Sequence, residues 1–146
     1  MDCFRLRCDS FRFPCLHQVK LLLDTHAFLW WVEGTPAMGS RARTALAHPD
    51  NDVLLSIASC WELAVKLSLR KLRLARSLDQ FIPEQLRLNG FSLLDIQLNH
   101  VVRVADLPFR HRDPFDRLLA AQALEDDLTM VSADRIFRKY GVAVIW

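Results

Sequence analysis

The sequence predicts an α/β fold: one domain, a mainly parallel five-stranded sheet, and helices on both faces. Three observations predict it. Short apolar runs recur along the chain, they alternate with longer helix-like segments, and they are continuous rather than alternating in polarity. A strand that is apolar throughout is buried on both faces, as in a parallel sheet covered by helices. The 146 residues suffice for one good core.

Each element has its local reason. Val19–Leu23 (VKLLL) reads as a buried strand ending at Asp24, and an apolar helix follows from about Thr25 to Val32. Gly34, Pro36 and Gly39 break it, and Ser40 caps a second helix that ends near His48-Pro49. Val53–Ser56 is the next strand, followed by a helix over about Ala58–Leu69. Ser77 caps a helix that stops at Asn89-Gly90, where glycine accepts a left-handed backbone. Phe91–Ile96 is a third strand, and Asn99–Leu107 a helix stopped by Pro108. Asp113-Pro114 opens a helix to about Asp126, since Asp is a strong N-cap and Pro suits the first helical position. Leu128–Ser132 is a fourth strand, Asp134–Tyr140 a short helix stopped by Gly141, and Val142–Trp146 a fifth strand.

Composition narrows the class. Half the chain is apolar and a quarter charged, which excludes global disorder. A net charge of +2 does not by itself indicate a nucleic-acid partner, so that case rests on local pattern. No apolar run approaches the ~18 residues of a membrane span, and the N-terminus lacks the apolar stretch of a secretory signal. Cys3, Cys8, Cys15 and Cys60 form no CxxC pair, so a cytoplasmic setting is expected. Residues 1–18 lack periodicity and read as a leader, disordered or preceding the native start, ahead of a domain over 19–146. Cys3, Cys8, Cys15 and His17 are spaced too irregularly for a zinc site.

The acids carry the chemistry. Asp24 follows strand one and Asp134 follows strand four, so both project from the carboxyl edge of the sheet, where such folds place their sites. Asp113 and Asp116 lie in the first turn of the helix before strand four, and Glu62 near the start of the helix after strand two. Clustered carboxylates repel unless a cation neutralises them, and hard oxygen ligands suit Mg²⁺ or Mn²⁺. Such a site suits phosphodiester hydrolysis by metal-activated water. Each acid also has a plainer reading. Asp24, Asp113 and Asp134 are good N-caps, Asp116 favours a helix dipole, and Ser59–Glu62 has the S-x-x-E form of a capping box.

These residues also resemble a family. Leu22-Leu23-Asp24-Thr25-His26 resembles the opening strand and first acid of PIN domains, and Ser59-Cys60-Trp61-Glu62-Leu63 their second acidic motif. The segment from Asp113 through Ala123 (DPFDRLLAAQA) looks like the third motif of a VapC-like subgroup, and Val131-Ser132-Ala133-Asp134 like the fourth. The match spans about Val19 to Trp146. It implies a strand order 3-2-1-4-5 and an Mg²⁺- or Mn²⁺-dependent endoribonuclease, the toxin of a toxin–antitoxin pair. Asp24, Glu62, Asp116 and Asp134 would be its four acids, with Asp24, Asp116 and Asp134 on metal. Thr25 and Ser132 would orient a carboxylate or water. Asp113 lies outside the four-acid pattern. Implied partners are an RNA substrate, a cognate antitoxin and a second copy, as a homodimer or within a toxin–antitoxin hetero-oligomer.

Arg112 and Arg117 flank the acids, to hold RNA phosphates or to pair with Asp113 and Asp116. Lys66, Arg70, Lys71, Arg73 and Arg76 form a basic run. If the helix extends that far, Lys66, Arg70 and Arg73 share a face that serves as a phosphate track or simply meets solvent. Phe28, Trp30 and Trp31 are base-stacking, partner-binding or core side chains, and His26 a substrate contact or a packed residue. The alternatives to a ribonuclease are a PIN-like module that binds RNA or protein without cutting, and a DNA nuclease with the same carboxylates.

Overall fold

The computed structural model describes residues 18–146. Cys3, Cys8, Cys15 and His17, and with them the expectation of a leader, lie outside the described residues. Five strands form one sheet: β1 (Lys20–Leu23), β2 (Asp52–Ser56), β3 (Ser92–Leu94), β4 (Thr129–Val131) and β5 (Val144–Ile145). Their order is β3-β2-β1-β4-β5 and every pairing is parallel. The helices are α1 (Thr25–Glu33), α2 (Ser40–Ala47), α3 (Ile57–Ser68), α4 (Leu78–Asn89), α5 (Leu98–Asp106), α6 (Pro114–Glu125) and α7 (Ile136–Lys139).

The central strand explains the architecture. Leu21, Leu22 and Leu23 are all fully buried. Leu21 and Leu23 join Val53 and Leu55 in a core with Ala27 and Phe28 of α1, Ala42 and Leu46 of α2 and Ile82 of α4. Leu22 points to the other face, where Met130 meets Leu119 and Ala120 of α6 and Phe137 of α7. Period-two alternation therefore supplies apolar side chains to two cores from one uninterrupted run.

Strand order places the site. The chain leaves β1 for β2 and β3 on one side, then returns to β4 on the other. The carboxyl ends of β1 and β4 therefore diverge at a topological switch point, where loops leave a crevice. Asp24 and Ser132 sit there.

The outer elements are shorter than the sequence predicts. β3 spans three residues against an expected six, and β5 two against five. Both are edge strands, paired on one side only, so each ladder ends where its single partner ends. α7 begins at Ile136, two residues beyond the expected start. Gly39, not Ser40, occupies the N-cap of α2. A Cβ on Gly39 would stand 2.5 Å from the Trp146 carbonyl carbon, so that turn accepts only glycine without movement.

The basic run does not continue a helix. α3 ends at Ser68, and Arg70 takes a left-handed conformation with φ of 57°. Lys71 N–H donates to the Lys66 carbonyl at 2.8 Å and Arg70 N–H to Leu67 at 3.0 Å, a Schellman closure that turns the chain away. Lys66, Arg70 and Arg73 therefore do not share a helical face.

Candidate active site

Two helices begin at the crevice. Asp24 caps α1, its Oδ1 accepting from Ala27 N–H at 2.6 Å. Its Oδ2 accepts a short hydrogen bond from Ser132 Oγ at the end of β4. Ser132 Oγ in turn accepts from Asp134 N–H at 3.0 Å, so one hydroxyl ties the β1 acid to the β4 acid. Asp113 caps α6, with its Oδ1 accepting from Phe115 N–H at 2.8 Å and Asp116 N–H at 3.3 Å. The capping readings of Asp24 and Asp113 are thus realised. They do not remove either residue from the pocket, because a carboxylate has lone pairs to spare.

Glu62 is not part of a capping box. α3 begins earlier than the capping box suggests, with Ser56 as N-cap, its Oγ accepting from Ala58 N–H at 3.0 Å. Glu62 therefore lies in the second turn, where the helix leaves its side chain free. Thr25 Oγ1 donates to Glu62 Oε2 at 2.5 Å, and Lys66 Nζ pairs with Oε1 at 2.8 Å. Ser59, the expected cap, is buried, and its hydroxyl has no partner among the described residues.

The result is one cavity of about 90 Å³ lined by Asp24, Thr25, His26, Glu62, Asp113, Asp116 and Asp134. It has room for about three waters or a partly hydrated cation. Burial raises the Asp24 carboxyl above its ordinary value, against the lowering effect of the Ser132 and Ala27 hydrogen bonds. Asp116 rises to about 6, first through burial and then through the neighbouring Asp113 charge, with His111 opposing and Glu62 and Asp24 adding smaller repulsions. Burial is the first cause of both shifts, and neighbouring carboxylates add to it: Glu62 at Asp24, and Asp113, Glu62 and Asp24 at Asp116.

His111 is the site residue that the sequence reading missed. Its Nε2 lies 3.0 Å from Asp116 Oδ2, and its Nδ1 accepts from Arg112 N–H at 3.0 Å. That acceptor role assigns the neutral ring's proton to Nε2, facing Asp116. Donor atoms of His111, Asp116 and Asp134 lie within 4.8 Å of one another. The sequence signal was faint: a histidine two residues before the Asp-Pro of a helix start.

Arg117 takes neither of its expected roles. It is buried, and donates to the carbonyls of Pro108 at 3.1 Å, Val104 at 3.0 Å and Leu107 at 3.4 Å, and to the Tyr140 hydroxyl at 3.4 Å. Its side chain leaves the inward face of α6 and meets the frayed carbonyls at the end of α5. It anchors the start of the loop that carries His111. Arg112 is exposed and lines a separate recess with Trp61 and Phe109 rather than the acidic cavity. Phe28 is fully buried and Trp31 donates its indole N–H to Asn89 Oδ1 at 2.9 Å, so both serve the core.

A PIN domain profile matches residues 21–143. The chain belongs to the PIN domain family. It is 28% identical over 123 residues to ribonuclease VapC22 of Mycobacterium tuberculosis, covering 82% of this chain and 91% of that protein. The DNA-bound VapBC structure from Salmonella typhimurium is similar at a TM-score of 0.66 and 17% identity, covering 88% of this chain and 98% of that one. VapBC2 from Rickettsia felis, bound to a promoter DNA fragment, gives 0.64 at 15% identity, with 87% and 98% covered. FitAcB from Neisseria gonorrhoeae gives 0.61 at 23% identity, with 86% and 96% covered. These structural likenesses establish the PIN fold with its 3-2-1-4-5 sheet.

Proposed function

We propose that this PIN domain is a metal-dependent endoribonuclease and the toxin of a toxin–antitoxin pair. The observation that carries the reading is the convergence of Asp24, Glu62, Asp116 and Asp134 on one small cavity, with Asp24 and Asp116 held above their ordinary pKa. Similarity to ribonuclease VapC22 supports the substrate.

The residues fit Mg²⁺ or Mn²⁺. Carboxylate oxygens dominate the donor set and the crowded charge needs a cation, while His111 holds Asp116 through its Nε2 proton. Asp24, Asp116 and Asp134 would hold the ion. When bound, it would polarise a phosphoryl oxygen and make water a better nucleophile. The chain's own residues do the positioning. Ser132 orients Asp24, Thr25 and Lys66 fix both oxygens of Glu62, and Asp113 holds the first turn of α6. The positive N-terminal ends of α1 and α6 both face the pocket and favour a phosphate there. Arg112, Arg70 and Arg73 are exposed cations for flanking phosphates, whereas Lys66 is occupied by Glu62.

An antitoxin and a second copy are the proposed protein partners, in a cytoplasmic setting. Leu98, Val101, Val102, Phe109 and Trp61 are exposed apolar side chains available to such partners. No helix among the described residues is long and apolar enough to cross a membrane.

The test uses the purified protein with an RNA pool and matched DNA, with Mg²⁺, with Mn²⁺ and with EDTA, followed by sequencing of the ends. RNA cleavage that requires the metal and leaves a 5′-phosphate and 3′-hydroxyl supports the reading. Cleavage confined to DNA, or binding without cleavage, overturns it. In cells, expression alone should arrest growth, Asp24→Asn should relieve the arrest, and a small neighbouring gene product should copurify and block cleavage.

A further inference from the structure

Beside the acidic cavity lies a surface that, apart from Asp24 and Asp134 at its edge, the catalytic reading does not use. A recess of about 320 Å³ is lined by Asp24, His26, Trp30, Ala133 and Asp134. It shares Asp24, His26 and Asp134 with the acidic cavity, so the two are continuous. Its far wall leads into a second recess of about 210 Å³ that contains Ala133, Asp134, Arg135, Arg138 and Trp146. Three rings run along this path. The His26 and Trp30 centroids are 5.8 Å apart, and those of Trp30 and Trp146 are 5.5 Å apart. His26 is exposed, and both tryptophans are only half-buried.

Two cations flank the rings. Arg135 and Arg138 are exposed on α7 and just before it, and among the described residues neither lies within an ion pair. The path therefore offers aromatic faces beside unpaired guanidinium groups, and it starts at the acids that would meet the scissile phosphate.

We infer that this ledge is a subsite for single-stranded RNA: a nucleobase adjoining the scissile phosphate stacks on His26 and Trp30, and the next phosphate pairs with Arg135 or Arg138. The inference rests on the ribonuclease reading for its substrate class. Stacking on an aromatic ring needs an unstacked base, so the ledge selects single strands over duplex. It is tolerant of base identity, because every base has a π-face. The guanidinium groups add a salt-dependent component. Trp30 thus has two jobs, since its inner side packs on the core while its outer side forms the ledge.

The experiment is binding and photocrosslinking of a short single-stranded RNA carrying 5-iodouridine, with EDTA present to prevent cleavage. The crosslinked peptide should contain His26 and Trp30, or Trp146. His26→Ala should weaken binding about tenfold, the lower part of the range for one stacked base. Arg135→Ala with Arg138→Ala should lower the salt slope by about 1. These three side chains are exposed, so the variants test the ledge without disturbing the core, whereas Trp30→Ala could unfold the chain. Crosslinks confined to Trp61 or Phe109, or unchanged binding in both exposed variants, would overturn the subsite. Crosslinking at the ledge without metal-dependent cleavage would leave the subsite standing and defeat the ribonuclease reading. Normal cleavage with unaffected ledge variants would do the reverse.

Discussion

Helices α1 and α6 begin at the same pocket by the same local device, an aspartate N-cap, yet the two aspartates end in different positions. Asp24 follows directly from the central strand and is 8% exposed. One carboxylate therefore caps the helix, accepts from Ser132 and lines the cavity. Asp113 follows a loop, and there the labour is divided: Asp113 caps while Asp116, one turn on, is pushed up to about 6. A strand end delivers its residue to the crevice without assistance. A loop must be held, and Arg117 does that by binding the carbonyls of Val104, Leu107 and Pro108. Capping and site chemistry are therefore compatible in one residue when burial is imposed by a neighbouring strand.

The largest effect should come from Asp24. Asp24→Asn keeps an oxygen for the Ala27 N–H but loses the charge, so cleavage should fall by about a thousandfold or more in a single-turnover assay. The melting temperature should hold or rise, because a buried charge is removed. If activity instead falls only in proportion to unfolding, Asp24 is merely a cap.

Arg117 should follow. Arg117→Met leaves several buried carbonyls without a donor, and chemical denaturation should show a loss of about 3 kcal/mol. Residual activity should fall further than that of a surface control, through displacement of His111. A loss confined to stability would separate the loop from the site.

The crowding at α6 should appear as a pH dependence of the metal-free protein. The Asp116 pKa rises from 3.8 to about 6 on folding, so the folded state binds the proton more tightly. That contribution is fully present below pH 4 and is lost as pH climbs through 6. Screening at this partly exposed group limits the swing to about 1–2 kcal/mol. Asp116→Asn should flatten the decline between those pH values, and a decline unchanged in that variant would remove Asp116 as its source.

The smallest effect distinguishes the partner cap. Asp113→Ala should cost about 1 kcal/mol of stability, the usual value of a lost N-cap, with a modest fall in activity. Loss of activity as deep as that of Asp24→Asn would make Asp113 a direct member of the site.

Much of this was legible in the chain. Continuous apolar runs at Leu21–Leu23 and Val53–Leu55 announced strands buried on both faces, and their alternation with helices announced the parallel sheet. The acids after β1 and β4 were legible for the same reason, since a residue that ends a strand must lie on the sheet edge. The α6 start was legible because Asp-Pro is a local signal whose physics needs no tertiary partner.

What only the tertiary structure decided were the partners of side chains. Ser59 looked like a cap, but α3 starts directly after β2, so Ser56 takes that place and Glu62 is released to Thr25 and Lys66. The basic run looked like one face until Arg70 turned left-handed and reversed the chain. Arg117 looked like a ligand for phosphate and became a clamp on carbonyls, while His111, without any local signature, came to Asp116 on a loop. Hydrophobic period and helix-cap chemistry act over a few residues, so sequence determines them. A long polar side chain reaches across elements, and its partner is set by the fold that brings distant segments together.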